Sequence, residues 1–162
     1  MRQLKWAVVV AGFVAAAVGI SALVQAQQGL SGEYKIGILE PVTGNLAAEG
    51  KRHLEGMEIM RDLINERFGG VMGKKLTFVV GDAVDPTVAA SEATRLATQG
   101  GVKIIAGTFS STLCGAASEA AARQGVIYWE TSCVDPRLTK RGVKNVYRTE
   151  IDGTGFGWYN VE

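Results

Sequence analysis

The chain has 162 residues, 47% of them apolar, with 17 Lys and Arg against 16 Asp and Glu. That apolar content is ample for a core and excludes a disordered chain, and the length falls in the range of one domain. A formal charge of +1 leaves no basic face large enough for nucleic acid, so that class of partner is set aside.

The first segment stands apart from the rest. Met1 to Lys5 carries Arg2 and Lys5, Trp6 to Ile20 is unbroken apolar and small, and Val24-Gln25-Ala26 places small residues at −3 and −1 of a cleavage site. Residues 1–26 therefore read as a secretory signal peptide. The apolar stretch continues to Val24, close to the roughly 18–20 residues that span a bilayer, so an uncleaved anchor is the alternative. Richness in Ala and Gly rather than Leu favours cleavage, and with no cysteine near the junction a lipid-anchored form is disfavoured. Cleavage leaves 15 Lys and Arg against 16 Asp and Glu, and export places Cys114 and Cys133 in an oxidising compartment.

Past the signal, short apolar runs alternate with longer stretches of helical spacing, the pattern of βαβ units with a parallel sheet. Lys35–Leu39 is the first run. The first helix follows over about Ala47–Phe68, where Leu54, Met57, Met60, Ile64 and Phe68 recur at steps of three and four, and Gly69-Gly70 ends it. This register puts His53 on the polar side. Lys75–Val80 is the second run, and a second helix over Pro86–Gln99 has Asp85 as N-cap, Pro86 at its first position and Gly100 as its stop. Val102–Gly107 is the third run. The third helix, Ser111–Gln124, is mostly Ala and small residues, so it packs close to its sheet. Val126–Trp129 and Asn145–Arg148 complete five strands. The predicted fold is α/β, a doubly wound open parallel sheet, with a glycine-rich exit after Thr149.

Ligands of such sheets bind beyond the carboxyl ends of the strands. Three loops there carry polar content: Glu40–Gly50, Gly107–Thr112 and Glu130–Pro136. In the second, Ser110, Ser111 and Thr112 lie where strand turns into helix. Free backbone N–H groups, the helix dipole and hydroxyls together suit a carboxylate or similar anion. The alternative is that these hydroxyls only cap the helix. Asp82 and Asp85 read as turn and cap residues. Trp129 and Glu130 offer stacking and hydrogen bonding at the end of the fourth strand, against a reading of the Trp as partly core. Cys114 falls in the first turn of the third helix and Cys133 in the loop after the next strand, and neighbouring strands about 5 Å apart could bring them together; they form either a disulfide or two separate buried thiols, since Cα separations above about 7 Å forbid the bond.

With His53 the only histidine, a metal site or catalytic triad has little to work with. Neither G-x-G-x-x-G nor a P-loop follows the first strand, so no cofactor is implied and an enzyme is not expected; a small Rossmann-like hydrolase or oxidoreductase is the least favoured alternative, since no nucleophile–base pair can be assembled.

Five features in order resemble the leucine/isoleucine/valine-binding family of periplasmic binding proteins. They are Gly44–Gly50, Gly81-Asp82-Ala83-Val84-Asp85-Pro86, the Ser110-Ser111-Thr112 turn, Leu138–Gly142 and Val146-Tyr147-Arg148-Thr149. The resemblance implies a two-lobed receptor of the type I periplasmic binding fold that closes on an amino acid or similar solute and delivers it to an ABC permease. Residues 33–149 then correspond to most of the N-terminal lobe, and 150–162 to the start of the crossover toward a second. By position, Ser111 matches the serine that holds the ligand carboxylate, and Ser132 and Val134 match ligand-contacting positions after the fourth strand. Val134 stands where the aliphatic-amino-acid binders have threonine. Glu49 stands where they have tyrosine. A carboxylate at Glu49, with Glu130, points to a ligand bearing an amide, amine or other donor, because an unpaired buried carboxylate costs several kcal/mol against an aliphatic side chain. The alternative for Glu49 is a solvated residue opening the first helix. A second reading of the whole chain is the sensor domain of a membrane-anchored receptor.

Overall fold

The computed structural model describes residues 32–159, so the expected signal segment lies outside the described residues. Five strands, β1 (Glu33–Glu40), β2 (Lys75–Asp82), β3 (Ile104–Gly107), β4 (Ile127–Glu130) and β5 (Val146–Arg148), alternate with three long helices, α1 (Ala47–Arg67), α2 (Pro86–Thr98) and α3 (Ser111–Arg123). Two short helices, α4 (Arg137–Lys140) and α5 (Gly153–Tyr159), follow β4 and β5, and a 3-10 turn at Gly44–Leu46 precedes α1. α4 and the 3-10 turn are too short for periodicity to reveal.

All strand pairs are parallel, in the order β2-β1-β3-β4-β5. The chain steps from β1 to β2 on one side, then crosses to the other side of β1 for β3. Right-handed crossovers on these opposite steps put α1 on one face and α2 and α3 on the other. The α/β, doubly wound parallel sheet expected from the sequence is therefore the fold observed.

The core lies on the α2–α3 face. Leu39, Ile105 and Tyr128, all fully buried, point from successive strands into Ala89, Ala93, Leu96, Ala117 and Ala121. The small residues of α2 and α3 let both helices lie close to the sheet and to each other. Asp85 caps α2 by accepting from the Val88 N–H at 2.9 Å, with Pro86 at the first helical turn, as the sequence indicates.

α1 is turned relative to the stripe read from the sequence. Met60 and Phe68 are exposed, at 51% and 72%, whereas His53, Arg61 and Asn65 face inward. Polar contacts decide this rotation. Asn65 donates to the Leu76 carbonyl at 2.9 Å and accepts from its N–H at 2.8 Å, pinning α1 to the start of β2, and Arg61 lies over the Phe78 ring. His53 is thus not on the polar side. At Gly50 a Cβ would stand 2.2 Å from the Pro41 carbonyl, so glycine lets the start of α1 close on the end of β1.

On the α1 face beyond the helix, Trp129 and Tyr147 are register neighbours on β4 and β5 and stack at 5.8 Å, both partly exposed. Trp129 is a surface aromatic of the sheet and not a core residue. No helix among the described residues is long and apolar enough to cross a membrane.

Candidate functional site

Because every strand runs the same way, β1, β3, β4 and β5 end on one side at Glu40, Gly107, Glu130 and Arg148. The reversal of strand order falls between β1 and β3, which makes the crevice above them the expected ligand position. Close approach there is possible because residue 107 is glycine: its φ is +133°, and a Cβ would lie 2.0 Å from the Leu39 carbonyl.

The start of α3 stands at this crevice. Ser110 occupies the N-cap position in an extended conformation, yet its side chain makes no capping bond; the helix opens with the Cys114 N–H donating to the Ser110 carbonyl at 2.9 Å. The hydroxyls therefore do not serve as ordinary caps, and the first-turn N–H groups are presented at the positive end of the helix. Ser111 Oγ accepts from the Asp135 N–H at 3.1 Å, which ties the start of α3 to the loop after β4. Thr112 is exposed on the same turn. Ser111 and Thr112 also border a surface pocket of about 450 Å³ that extends to Asp135 and Arg141. A second cavity, about 520 Å³ and bordered by Tyr34, Ile36 and Ile104, opens at the opposite end of the sheet, away from these loops.

The loop carrying Ser132 and Val134 is held from several directions. Glu130, fully buried, accepts from the Cys133 N–H through one oxygen and pairs with Arg148 through the other, with Nε 2.6 Å from Oε2. Arg148 Nη2 donates to the Asp135 carbonyl at 2.7 Å, and the Gly153 N–H donates to the Val134 carbonyl at 2.6 Å. Cys114 and Cys133 are joined by a disulfide across a Cα separation of 6.5 Å, fastening the loop to α3. The Tyr128 hydroxyl donates to Cys114 Sγ at 3.5 Å from below. Both Glu130 oxygens are engaged inside the lobe, so this carboxylate sets the shape of the loop. Val134 remains 39% exposed and Ser132 half-buried. Arg137, through side chain and backbone, lowers the Asp135 carboxyl to about 2.

Two further residues belong to the site, and the sequence reading did not select them. Glu40 ends β1 fully buried, and neither carboxylate oxygen has a hydrogen-bond partner among the described residues. Burial raises its carboxyl to about 8. His53 lies above it with Nδ1 3.7 Å from Glu40 Oε1 and 3.4 Å from Ser132 Oγ, and its ring meets Phe109 edge-on at 5.3 Å. One imidazole thus touches the end of β1, the loop after β3 and the loop after β4. The signal in the sequence was a charged residue closing the central apolar run, where a parallel sheet buries both faces.

Ser132, His53 and Glu40 do not make a catalytic triad. A triad divides its partners between the two ring nitrogens, one for the nucleophile and one for the acid. Here Ser132 and Glu40 both face Nδ1. Glu49 sits one turn before His53 on α1, half-buried and paired with Arg52 at 3.2 Å. Asp82 accepts from the Val42 and Thr43 N–H groups at 3.0 and 3.3 Å, so it fixes the first loop.

Among the described residues the one cluster with metal-ligating atoms is Cys114, Glu130 and Cys133, and the disulfide removes the thiolates such a site needs.

The family model for periplasmic binding proteins matches residues 33–159. A Leu/Ile/Val-binding protein homolog 7 from Brucella suis is 40% identical over 146 residues, covering 90% of this chain and 36% of that protein. Among solved structures, the branched-chain amino acid transporter substrate binding protein LivJ from Streptococcus pneumoniae, in complex with isoleucine, superposes with a TM-score of 0.70 at 31% identity. It is covered over 34% of its length by 74% of this chain. A leucine binding protein, LivK, from Thermotoga maritima gives a TM-score of 0.69 at 26% identity, with 78% of this chain and 35% of that one covered. The chain spans about a third of the length of the relatives it matches. With the family model matched over nearly all the described residues and the crevice built as the fold requires, the chain belongs to the periplasmic binding protein family.

Proposed function

We propose that this chain forms the N-terminal ligand-binding lobe of the substrate-binding component of an ABC-type uptake system for an amino acid or related small polar solute. The observation that carries this reading is the joining of two loops at one end of the sheet, with Ser111 Oγ accepting from the Asp135 N–H at the uncapped start of α3. A helix start with spare N–H groups and a serine hydroxyl suits the carboxylate of an amino acid. Ser110, Ser111 and Thr112 would take that carboxylate. Ser132 and the backbone at Val134, on the loop that Ser111 ties to α3, would complete the contacts, and Glu130 holds that loop.

The relatives' names support the same class of solute, and their place in the family supports export to the periplasm and work beside permease subunits in the membrane. Residues 1–26 would supply the export signal. Glu49 stands at the first turn of α1 in an exposed pair with Arg52; were that pair to open toward the solute, its carboxylate would favour an amide, amine or other donor over a purely aliphatic group.

Calorimetric titration with L-leucine, L-glutamine and L-glutamate tests the proposal. Binding of at least one, weakened about tenfold or more in Ser111→Ala through loss of a hydrogen bond to a charged group, is the expected result. Absence of binding to every amino acid tried would overturn the assignment. Tight leucine binding that is unchanged in Glu49→Ala would sink the preference for donor-bearing solutes.

A further inference from the structure

We propose that Glu40 sets the tautomer of His53 so that its Nε2–H is presented to the crevice as a donor for a carbonyl or carboxylate oxygen of the solute, separate from the carboxylate held at the start of α3. The inference rests on the binding-protein reading above and deepens it. Glu40 is fully buried with both oxygens lacking a hydrogen-bond partner among the described residues, and His53 is the polar group placed to meet it, with Nδ1 3.7 Å from Oε1. A buried carboxyl in this position keeps its proton or shares it with a neighbour.

The ring nitrogens are not equivalent, since the hydrogen bond made by one decides what the other offers. A protonated Glu40 facing Nδ1 across 3.7 Å favours the ring form whose hydrogen sits on Nε2, and a small closure of that gap would let its O–H donate to Nδ1. When the proton has moved to the imidazole, Nε2 still carries hydrogen. Only when the pair loses that proton does Nδ1–H turn toward an ionised Glu40, leaving Nε2 as an acceptor. Nδ1 faces inward to Glu40 and Ser132 while the side chain remains 29% exposed, so the edge offered to a solute is the Nε2 edge. Phe109, packed edge-on, and Ser132 hold the ring in place.

The charged neighbours leave this pair to itself. On α1, Glu49 pairs with Arg52. On β4, Glu130 is neutralised by Arg148, and Tyr128 has its hydroxyl pushed well above its usual range by burial first and then by Glu40 and Glu130. On β2, Asp82, the register partner of Glu40, is taken up by the Val42 and Thr43 amides. The loops after β3 and β4 bring Phe109 and Ser132 to the ring, neither of which titrates.

His53 is the only histidine of the chain, so ¹⁵N spectra of the imidazole report on it alone. The expected spectrum at pH 7 has Nε2 protonated, and Nδ1–H takes over as pH rises past about 8, where burial places the Glu40 carboxyl. In Glu40→Gln that changeover disappears. Added L-glutamine, with an amide oxygen, and L-glutamate, with a carboxylate, should shift Nε2, and the larger response identifies the oxygen preferred; L-leucine should leave it unmoved. His53→Ala is expected to weaken the responsive ligand about tenfold, the usual worth of a hydrogen bond, and to leave L-leucine unaffected.

A Nδ1–H form at pH 7, or a titration identical in Glu40→Gln, overturns the proposal without any ligand being needed. A ligand whose affinity depends on Ser111 but which leaves Nε2 unmoved overturns it while sparing the binding-protein assignment. Failure of all three amino acids to bind, with backbone and ring signals alike unmoved, overturns both.

Discussion

Arg148 on β5 and Glu130 on β4 form an ion pair sealed inside the lobe, with Nε 2.6 Å from Oε2 and side chains only 9% and 1% exposed. Removing one member strands the other as an uncompensated buried charge. Arg148→Ala is expected to cost about 3–5 kcal/mol, whereas replacing both residues with apolar ones of similar size should restore most of that loss. Urea unfolding of the two variants checks this. Because Arg148 also holds the Asp135 carbonyl, the single variant should loosen the loop that carries Ser132 and Val134.

The Cys114–Cys133 disulfide closes a loop of 19 residues. Constraint of the unfolded chain over a loop of this size contributes about 3 kcal/mol. Reduction, or the double change to alanine, should lower stability by about that amount. Intact mass with and without reductant establishes the bond, and denaturant midpoints under the two conditions give its effect.

Stability should fall as pH rises through the neutral range, and Glu40 is the cause. Its carboxyl titrates near 4.5 when exposed and is pushed up to about 8 by burial, so between these values the folded lobe binds the proton and the unfolded chain does not. The contribution is fully present below about 4.5 and is lost as pH climbs toward 8, amounting to a few kcal/mol. Glu40→Gln should flatten the dependence and make the protein more stable than the parent at pH 8. Unfolding curves at pH 5, 7 and 8.5 test the sign, and a parent that gains stability over this range would contradict it.

Two glycines of α1 should respond in opposite directions. Gly50→Ala places a methyl 2.2 Å from the Pro41 carbonyl, an overlap with backbone that is expected to cost about 1–3 kcal/mol. Gly56 is exposed in the helix interior with nothing near its Cβ position, so Gly56→Ala should add about 1 kcal/mol. Thermal unfolding of the pair distinguishes a packing requirement from simple helix propensity.

The strands and three long helices were legible because each carries a local signature: apolar runs for strands buried on both faces, Asp85-Pro86 opening α2, and glycines closing the helices. Ser111 could be singled out from its place where a strand turns into a helix, and Ser132 only through the family resemblance. Glu40 and His53 could not, because their importance comes from a contact between residues 13 positions apart in the chain. The rotation of α1 was hidden for a related reason. Its apolar residues allow a stripe through Met60 and Phe68, but the Asn65 bonds to the Leu76 backbone set the helix one notch round, which carries His53 inward.

What the sequence determined by itself was the α/β alternation, the direction of every strand and hence the end of the sheet at which a solute would bind, since period and punctuation are properties of neighbouring residues. Only the tertiary structure decided which polar groups meet there. Burial of Glu40 beneath His53, the commitment of Glu130 to Arg148 and the tie from Ser111 to Asp135 are all long-range pairings. Their energetics depend on how completely water is excluded once the strands and helices are packed.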